Sequence, residues 1–322
     1  VFYDASAWSV SNFYNMKHKA LKSFDSNKLE GLNNIVVNNP RVSKSNYAYI
    51  LDWDDYNTPA ALNHLHKNGL ISYSAYKPFS IKVNEDNNVK SFNRGTVMVP
   101  VSKQKVDSQK LFQIIQSTQE KFNIPVFSTE TGYSSAGIDL GSNFFRINKK
   151  VKVAMLIGEG VSSYEAGEVW HLLDTRVNIP LTKIRLNQFN RTSLDKYTTL
   201  VMVSGTYGQI SEKDIKKIRD WVSKGNTLVT IGSASSWAIK KEIVSESLVE
   251  TKKDSVFSRK RYIDAREYIG REAIGGSILS VDLDLTHPLA FGYRDKSIPV
   301  YKNNNVFLSK SESQYSSVAL YS

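Results

Sequence analysis

Buried strands and amphipathic helices alternate in two successive series along this chain. The apolar run Tyr47-Ala48-Tyr49-Ile50-Leu51 has the length of a buried strand and ends in the acidic run Asp52-Trp53-Asp54-Asp55. A helix follows, capped by Thr58, opened by Pro59, striped by Ala61, Leu62 and Leu65, and stopped by Gly69. Strands at 70–73 and 96–101 lie on either side of a polar loop at 84–88. A helix over 108–122 then buries Leu111, Phe112, Ile115 and Phe122 before a strand at 124–127. Such alternation predicts a mostly parallel sheet covered on both faces.

The second series starts at Val151. Val153-Ala154-Met155-Leu156-Ile157 reads as a buried strand entering Gly158-Glu159-Gly160. Ser162 and Glu165 have capping-box spacing, and Ala166, Val169, Trp170 and Leu173 share one face of the helix they open. Strands at 179–184, 199–203 and 227–231 follow, the last two separated by a helix with Ser211 and Asp214 as its capping pair, Ile215, Ile218 and Val222 as its stripe, and Gly225 as its stop. Beyond Lys252 the pattern loosens, and a strand at 277–283 leads into Thr286-His287-Pro288-Leu289. The predicted fold class is α/β, with two tandem Rossmann- or flavodoxin-like three-layer α/β/α units and mostly parallel sheets. Residues 1–45, whose Trp8, Phe13 and Tyr14 suit packing on another surface, are expected to form an N-terminal segment linking to a missing upstream domain. Residues 46–145 are expected to form the first unit and 146–322 the second, with a truncated C-terminus, and 137–142 the connection.

Composition narrows the chemistry. At 322 residues the chain has room for about two domains, and its lack of cysteine excludes disulfides, thiolate metal sites and cysteine nucleophiles. It opens on Val1 with neither an initiator methionine nor a signal peptide, as expected of a piece of a larger protein. No apolar stretch approaches the ~18 residues that cross a bilayer, so no transmembrane segment is expected. A net charge of +11, from 42 basic and 31 acidic residues, invites a nucleic-acid reading. The basic residues are spread along the chain, however, and the densest stretch, Arg259-Lys260-Arg261 with Arg266 and Arg271, is broken by Asp264, Glu267 and Glu272. A solvated face accounts for that mixture, and no nucleic-acid partner is expected.

Five local patterns carry candidate chemistry. Gly158-Glu159-Gly160 lies where a dinucleotide fingerprint would, yet Ser163 replaces its last glycine and Glu159 would repel phosphate. Glu168 and His171, three apart on one helical face, are weak binding candidates along with Glu159, and His64 and His66 are a second spaced pair. Neither forms a zinc-peptidase motif, and no intrinsic metal site is expected. Asp52–55 suits a divalent cation or, more simply, a capped and solvated junction. Finally, Ile231-Gly232-Ser233-Ala234-Ser235 joins a buried strand to a helix, as a nucleophile elbow does. Ser233 or Ser235 would be its nucleophile, His287 the distant base and Gly205 the oxyanion amide. Gly and Ser also serve such turns purely for conformation and capping, so no catalytic residue is expected.

Several segments resemble a known family. Phe2-Tyr3-Asp4-Ala5-Ser6-Ala7-Trp8, Gly137-Ile138-Asp139-Leu140-Gly141-Ser142, Gly160-Val161-Ser162-Ser163-Tyr164-Glu165-Ala166-Gly167-Glu168-Val169-Trp170, Val203-Ser204-Gly205-Thr206-Tyr207 and His287-Pro288-Leu289-Ala290-Phe291-Gly292-Tyr293 carry the likeness. Together they resemble the region after the catalytic domain in large secreted bacterial zinc carboxypeptidases of the carboxypeptidase A type. The resemblance spans most of the chain and implies that the second unit is similar to a class I glutamine amidotransferase domain. It further implies a secreted, periplasmic or cell-surface location, and an upstream peptidase domain that holds the zinc and is this region's partner. The amidotransferase nucleophile would be a cysteine on the elbow, where this chain has Gly232-Ser233-Ala234. The expected function is therefore a non-catalytic accessory region carrying a pseudoenzyme domain, without a cofactor of its own. A serine hydrolase or amidase using Ser233 and His287, and an α/β module binding a peptide or small molecule, stand as alternatives.

Overall fold

The computed structural model describes residues 39–84, 88–249, 261–272 and 274–322, with residues 19, 21–23 and 25 as isolated positions. The expectation about Trp8, Phe13 and Tyr14, the first of the family-like segments, and Arg259-Lys260 lie outside the described residues.

In the first unit the chain runs β1 (Ala48–Leu51), α1 (Thr58–Lys67), β2 (Tyr73–Ala75), β3 (Phe79–Val83), β4 (Asn88–Phe92), β5 (Val97–Pro100), α2 (Ser108–Phe122), β6 (Val126–Thr129), β7 (Ala136–Gly137) and β8 (Phe145–Ile147). The sheet order is β6-β1-β5-β2-β8, and every neighbouring pair is antiparallel. The expected parallel sheet is thus corrected for this unit. β1 and β2 point the same way with β5 inserted between them, and β5 and β6 point the same way with β1 between them. Two interleaved split β-α-β units produce that order, the ferredoxin-like arrangement, here with the β3–β4 hairpin inserted.

The sheet is nonetheless buried on both faces. Tyr49, Leu51, Val97 and Val99 pack with Leu65, Leu111 and Ile115 of the two helices. Ala48, Ile50 and Met98, on the opposite face, meet Phe79, Ile81, Val83 and Phe92 of a second antiparallel sheet ordered β4-β3-β7. Asp107 caps α2 by accepting the Lys110 amide at 2.8 Å. Thr58 does not cap α1; its hydroxyl donates to the Asp52 carbonyl at 2.7 Å and binds the helix to the end of β1. Residues 137–142 also belong to this unit, because β7 pairs with β3 and Leu140 enters the core. The connection therefore follows β8, which closes the edge of the main sheet beyond β2.

The second unit runs β9 (Val153–Ile157), α3 (Ser163–Trp170), β10 (Leu181–Arg185), β11 (Thr199–Met202), α4 (Glu212–Ser223), β12 (Thr227–Thr230) and α5 (Ser233–Lys240). Its four strands are parallel, in the order β10-β9-β11-β12. Ala154, Leu156, Leu200 and Met202 pack on Ile215, Ile218 and Trp221 of α4, while Met155 and Val201 face Ala166 of α3. The outer face of β12 is less covered, with Val229 39% and Ile231 38% exposed.

After α6 (Ala265–Glu272), β13 (Ser277–Leu283), β14 (Ser297–Lys302) and β15 (Ala319–Tyr321) form a separate antiparallel sheet ordered β14-β13-β15. Residues 277–321 thus do not extend the parallel sheet, a further correction to the expected single α/β/α second unit. The molecule is a mixed α/β structure with one parallel and three antiparallel sheets among the described residues.

The loop between β13 and β14 reaches back to the first unit. Gly95, at φ +90°, and Gly292, at φ +95°, both lie against the Trp53 side chain; a Cβ on Gly95 would stand 2.7 Å from the indole, and one on Gly292 would stand 3.1 Å from it. Arg294 pairs with Asp54, and Phe291 meets Tyr76 edge-on with ring centroids 5.3 Å apart.

Candidate functional site

In an open parallel sheet, ligands bind beyond the carboxyl ends of the strands, where neighbouring strands send their chains to opposite faces. Here that point lies between β9 and β11. The loops leaving them, 158–161 and 203–206, are positioned by the glycines at 158 and 160, which adopt φ of +114° and +84°.

These loops are tied together. Val161 and Gly205 form an antiparallel bridge, Thr206 N–H donates to the Gly160 carbonyl at 2.7 Å, and Ser162 N–H donates to the Ser204 carbonyl at 2.8 Å. A Cβ on Gly205 would lie 2.7 Å from the Gly160 carbonyl oxygen, so only glycine permits this approach. The Val161 amide is turned onto the Gly158 carbonyl at 3.0 Å. Two of the amides that would cradle a pyrophosphate, those of Val161 and Ser162, are thus already bonded, and the exposed Glu159 adds negative charge to the loop.

Glu165 does not complete the expected capping box. Its amide donates to Ser162 Oγ at 3.4 Å, but its carboxylate accepts the Ser204 amide at 2.8 Å across the crevice. Behind this contact, burial and then the charge of Glu165 raise the Tyr207 phenol above its ordinary pKa, and its hydroxyl donates to the Val203 carbonyl at 2.5 Å.

The elbow lies on the next strand, between β12 and α5. Gly232 has φ +56° and ψ −125°, a sharp strand-to-helix turn in the left-handed half of backbone space. That places glycine, not Ser233, at the apex where an elbow would present its nucleophile. A Cβ there would stand 2.1 Å from Ser204 Oγ, so the space a nucleophilic side chain would leave through is filled.

Ser233, one residue into the helix, is engaged with Gly205: it accepts the Gly205 amide at 3.0 Å and lies 3.3 Å from the Gly205 carbonyl. The structure therefore brings Ser233 and Gly205 together, but the candidate oxyanion amide is bonded to the candidate nucleophile. Ser235 turns back onto Thr230, with hydroxyl oxygens 3.0 Å apart. His287 belongs to the loop that docks on Trp53, where its Nδ1 accepts the Leu289 amide at 3.2 Å. No hydrogen bond joins it to Ser233 among the described residues.

The other candidates are dispersed. Glu168 and His171 are exposed, and their direct link is the His171 amide donating to the Glu168 carbonyl. His64 packs edge-on to Phe122, while His66 Nε2 lies 2.9 Å from Ser72 Oγ. Among the described residues no three His, Asp or Glu side chains gather into a metal-binding group. In the acidic run, Asp54 pairs with Arg294, Asp55 accepts the Asn57 amide at 2.9 Å, and Asp52 lies 3.8 Å from Lys90.

Sequence reasoning missed Gly232, Ser204 and Glu165. The order Ile231-Gly232-Ser233 could have revealed the first, because an elbow apex directly follows its strand. Ser204 and Glu165 carry no such signal, since their partners lie on different strands and helices. Comparison with known proteins finds no matching family model, no similar curated protein and no similar solved structure.

Proposed function

We propose that this chain is a non-catalytic accessory region of a secreted zinc carboxypeptidase, and that residues 146–322 include a degenerate, flavodoxin-like relative of the class I glutamine amidotransferases. The observation that carries this reading is the elbow: a strand-to-helix turn with a nucleophile-bearing backbone and glycine at its apex. With Ser204 filling the apex and Ser233 occupying the Gly205 amide, the arrangement resembles an acyl-transfer site from which the reacting parts have been removed. The chain's lack of cysteine points the same way.

In this reading the zinc and the peptidase chemistry belong to an upstream domain of the same protein, and this region acts by binding or positioning. Its location would be periplasmic, extracellular or at the cell surface. No described helix is long and apolar enough to cross a membrane.

The serine-hydrolase alternative needs Ser233, a base and an oxyanion donor to converge. Engagement of Gly205 by Ser233 and of His287 by Leu289 weighs against it. The test is treatment of the chain with a serine-reactive phosphonate, alongside zinc analysis and peptide digestion. No labelling at Ser233, no stoichiometric zinc and no release of C-terminal residues are expected. Stoichiometric labelling of Ser233 that disappears in His287→Ala would establish the hydrolase instead, and one tightly bound zinc per chain would overturn the assignment of metal chemistry to another domain.

A further inference from the structure

Where the loop between β13 and β14 meets the end of β1, an open cavity of about 390 Å³ remains beside the Trp53 contact. That volume falls within the range of small-molecule sites. Asp52, Asp54, Arg94 and Arg294 contribute charges of both signs to its wall, next to Asn93 and Phe291.

Two of those charges satisfy each other, since Arg294 donates to Asp54 through Nε at 2.7 Å and also through its terminal nitrogen. The other two are held less closely: the Asp52 carboxylate takes the backbone amide of Trp53 and the more distant charges of Lys90 and Arg294. The nearest cation to the Asp52 carboxylate is Lys90 at 3.8 Å, too long for a hydrogen bond, although the side chain is only 15% exposed. Burial, followed by repulsion from Asp54, raises its carboxyl above the usual range. Arg94 makes no hydrogen bond or ion pair with any described residue, and its charge acts on Asp284. A desolvated carboxylate and a guanidinium that hydrogen-bonds to no described residue therefore line one cavity.

A ligand carrying both an ammonium and a carboxylate would complete both. An ammonium supplies Asp52 with a charged donor closer than Lys90, and a carboxylate suits the planar fork of Arg94. We propose that this cavity binds a free α-amino acid, with its ammonium on Asp52 and its carboxylate on Arg94. Phe291, held edge-on to Tyr76, gives the apolar side of the wall against which a side chain would lie. This inference does not depend on the accessory reading above, because the cavity lies away from the elbow and its chemistry is reversible binding.

The experiment is isothermal titration of the whole chain with each of the twenty common L-α-amino acids. At least one should bind. Asp52→Asn and Arg94→Gln should each weaken that binding tenfold or more, and Arg94→Lys should weaken it less than Arg94→Gln. The N-acetyl and carboxamide derivatives of the same amino acid should lose affinity to a similar degree. Far-ultraviolet circular dichroism of each variant establishes that it is folded; if Asp52→Asn unfolds, the Arg94 variants and the blocked derivatives decide. Absence of binding by all twenty, or binding that survives Arg94→Gln or either blocking group, overturns the proposal. Equal binding of inorganic phosphate also overturns it, in favour of a simple anion site.

Discussion

The two units bury strands of nearly the same sequence character in opposite ways. β1 and β5 of the first unit are buried at every position, and so is most of β9 in the second. Yet the first unit covers its antiparallel sheet with helices on one face and a small sheet on the other, while the second covers its parallel sheet with helices on both. A continuous apolar run reports that both faces are covered; it does not report by what, or which way the neighbouring strand points.

That contrast can be tested first at the covering sheet. Phe79 is 2% exposed and stacks on Phe92 with ring centroids 5.1 Å apart. If β3 covers the first unit as α4 covers the second, Phe79→Ala should cost about 3–5 kcal/mol and Ile215→Ala about 2–5 kcal/mol. Urea unfolding measures both, and an unchanged midpoint for Phe79→Ala would reduce the β3–β4 hairpin to an appendage.

Glycine substitutions sharpen the same comparison at smaller scale. Gly95 and Gly225 share φ of +90°, but a Cβ on Gly95 would strike Trp53, whereas one on Gly225 would have no atom within 4 Å. Backbone strain of about 1–3 kcal/mol is common to both alanine variants. Gly95→Ala should be the more destabilising by a further ~1–3 kcal/mol of overpacking. Equal losses in thermal melts would mean that the indole moves aside and that the packing around Trp53 is loose.

The smallest effect belongs to pH. Burial, then the charge of Lys150, holds the His66 imidazole below its ordinary pKa. The unfolded ring takes up a proton near pH 6.5 while the folded ring resists it, so the folded state binds fewer protons. Stability is retained above that value and lost as pH falls below it toward the folded pKa. His66→Gln should flatten this part of the stability profile between pH 7.5 and 5, leaving the contribution of His64, which is lowered in the same direction. An identical profile for the variant would show that the Ser72 hydroxyl adapts to either protonation state.

Much of the secondary structure was legible because it is written locally. Ser211 and Asp214 announced α4, and the hydroxyl of Ser211 does accept the Asp214 amide, at 3.2 Å. The helices over 108–122 and 212–223 were read from apolar spacing that the cores confirm. The polarity of the first sheet was not legible, because β1 pairs with β5 and β6, and those pairings depend on segments far along the chain. β3 and β4 were missed because Lys82 breaks the apolar run of β3, while in β4 Lys90 takes the inner face opposite Ile81 and Val89 is exposed. At the candidate site, the Gly-Ser turn was visible, and the dihedral angles of Gly232 then place it at the apex. The pairing of Asp54 with Arg294 joins residues that no local pattern could associate.

The central place of β1 also bears on how the chain is made. Both of its edges are satisfied only by β5 and β6, strands that are synthesised well after it. Until they emerge, the nascent chain presents an apolar strand with two open rows of amides and carbonyls, and α1 can shield its face but not its edges. Exposed edges of this kind recruit foreign strands, so the interval before residue 129 leaves the ribosome is when this protein has most need of a chaperone.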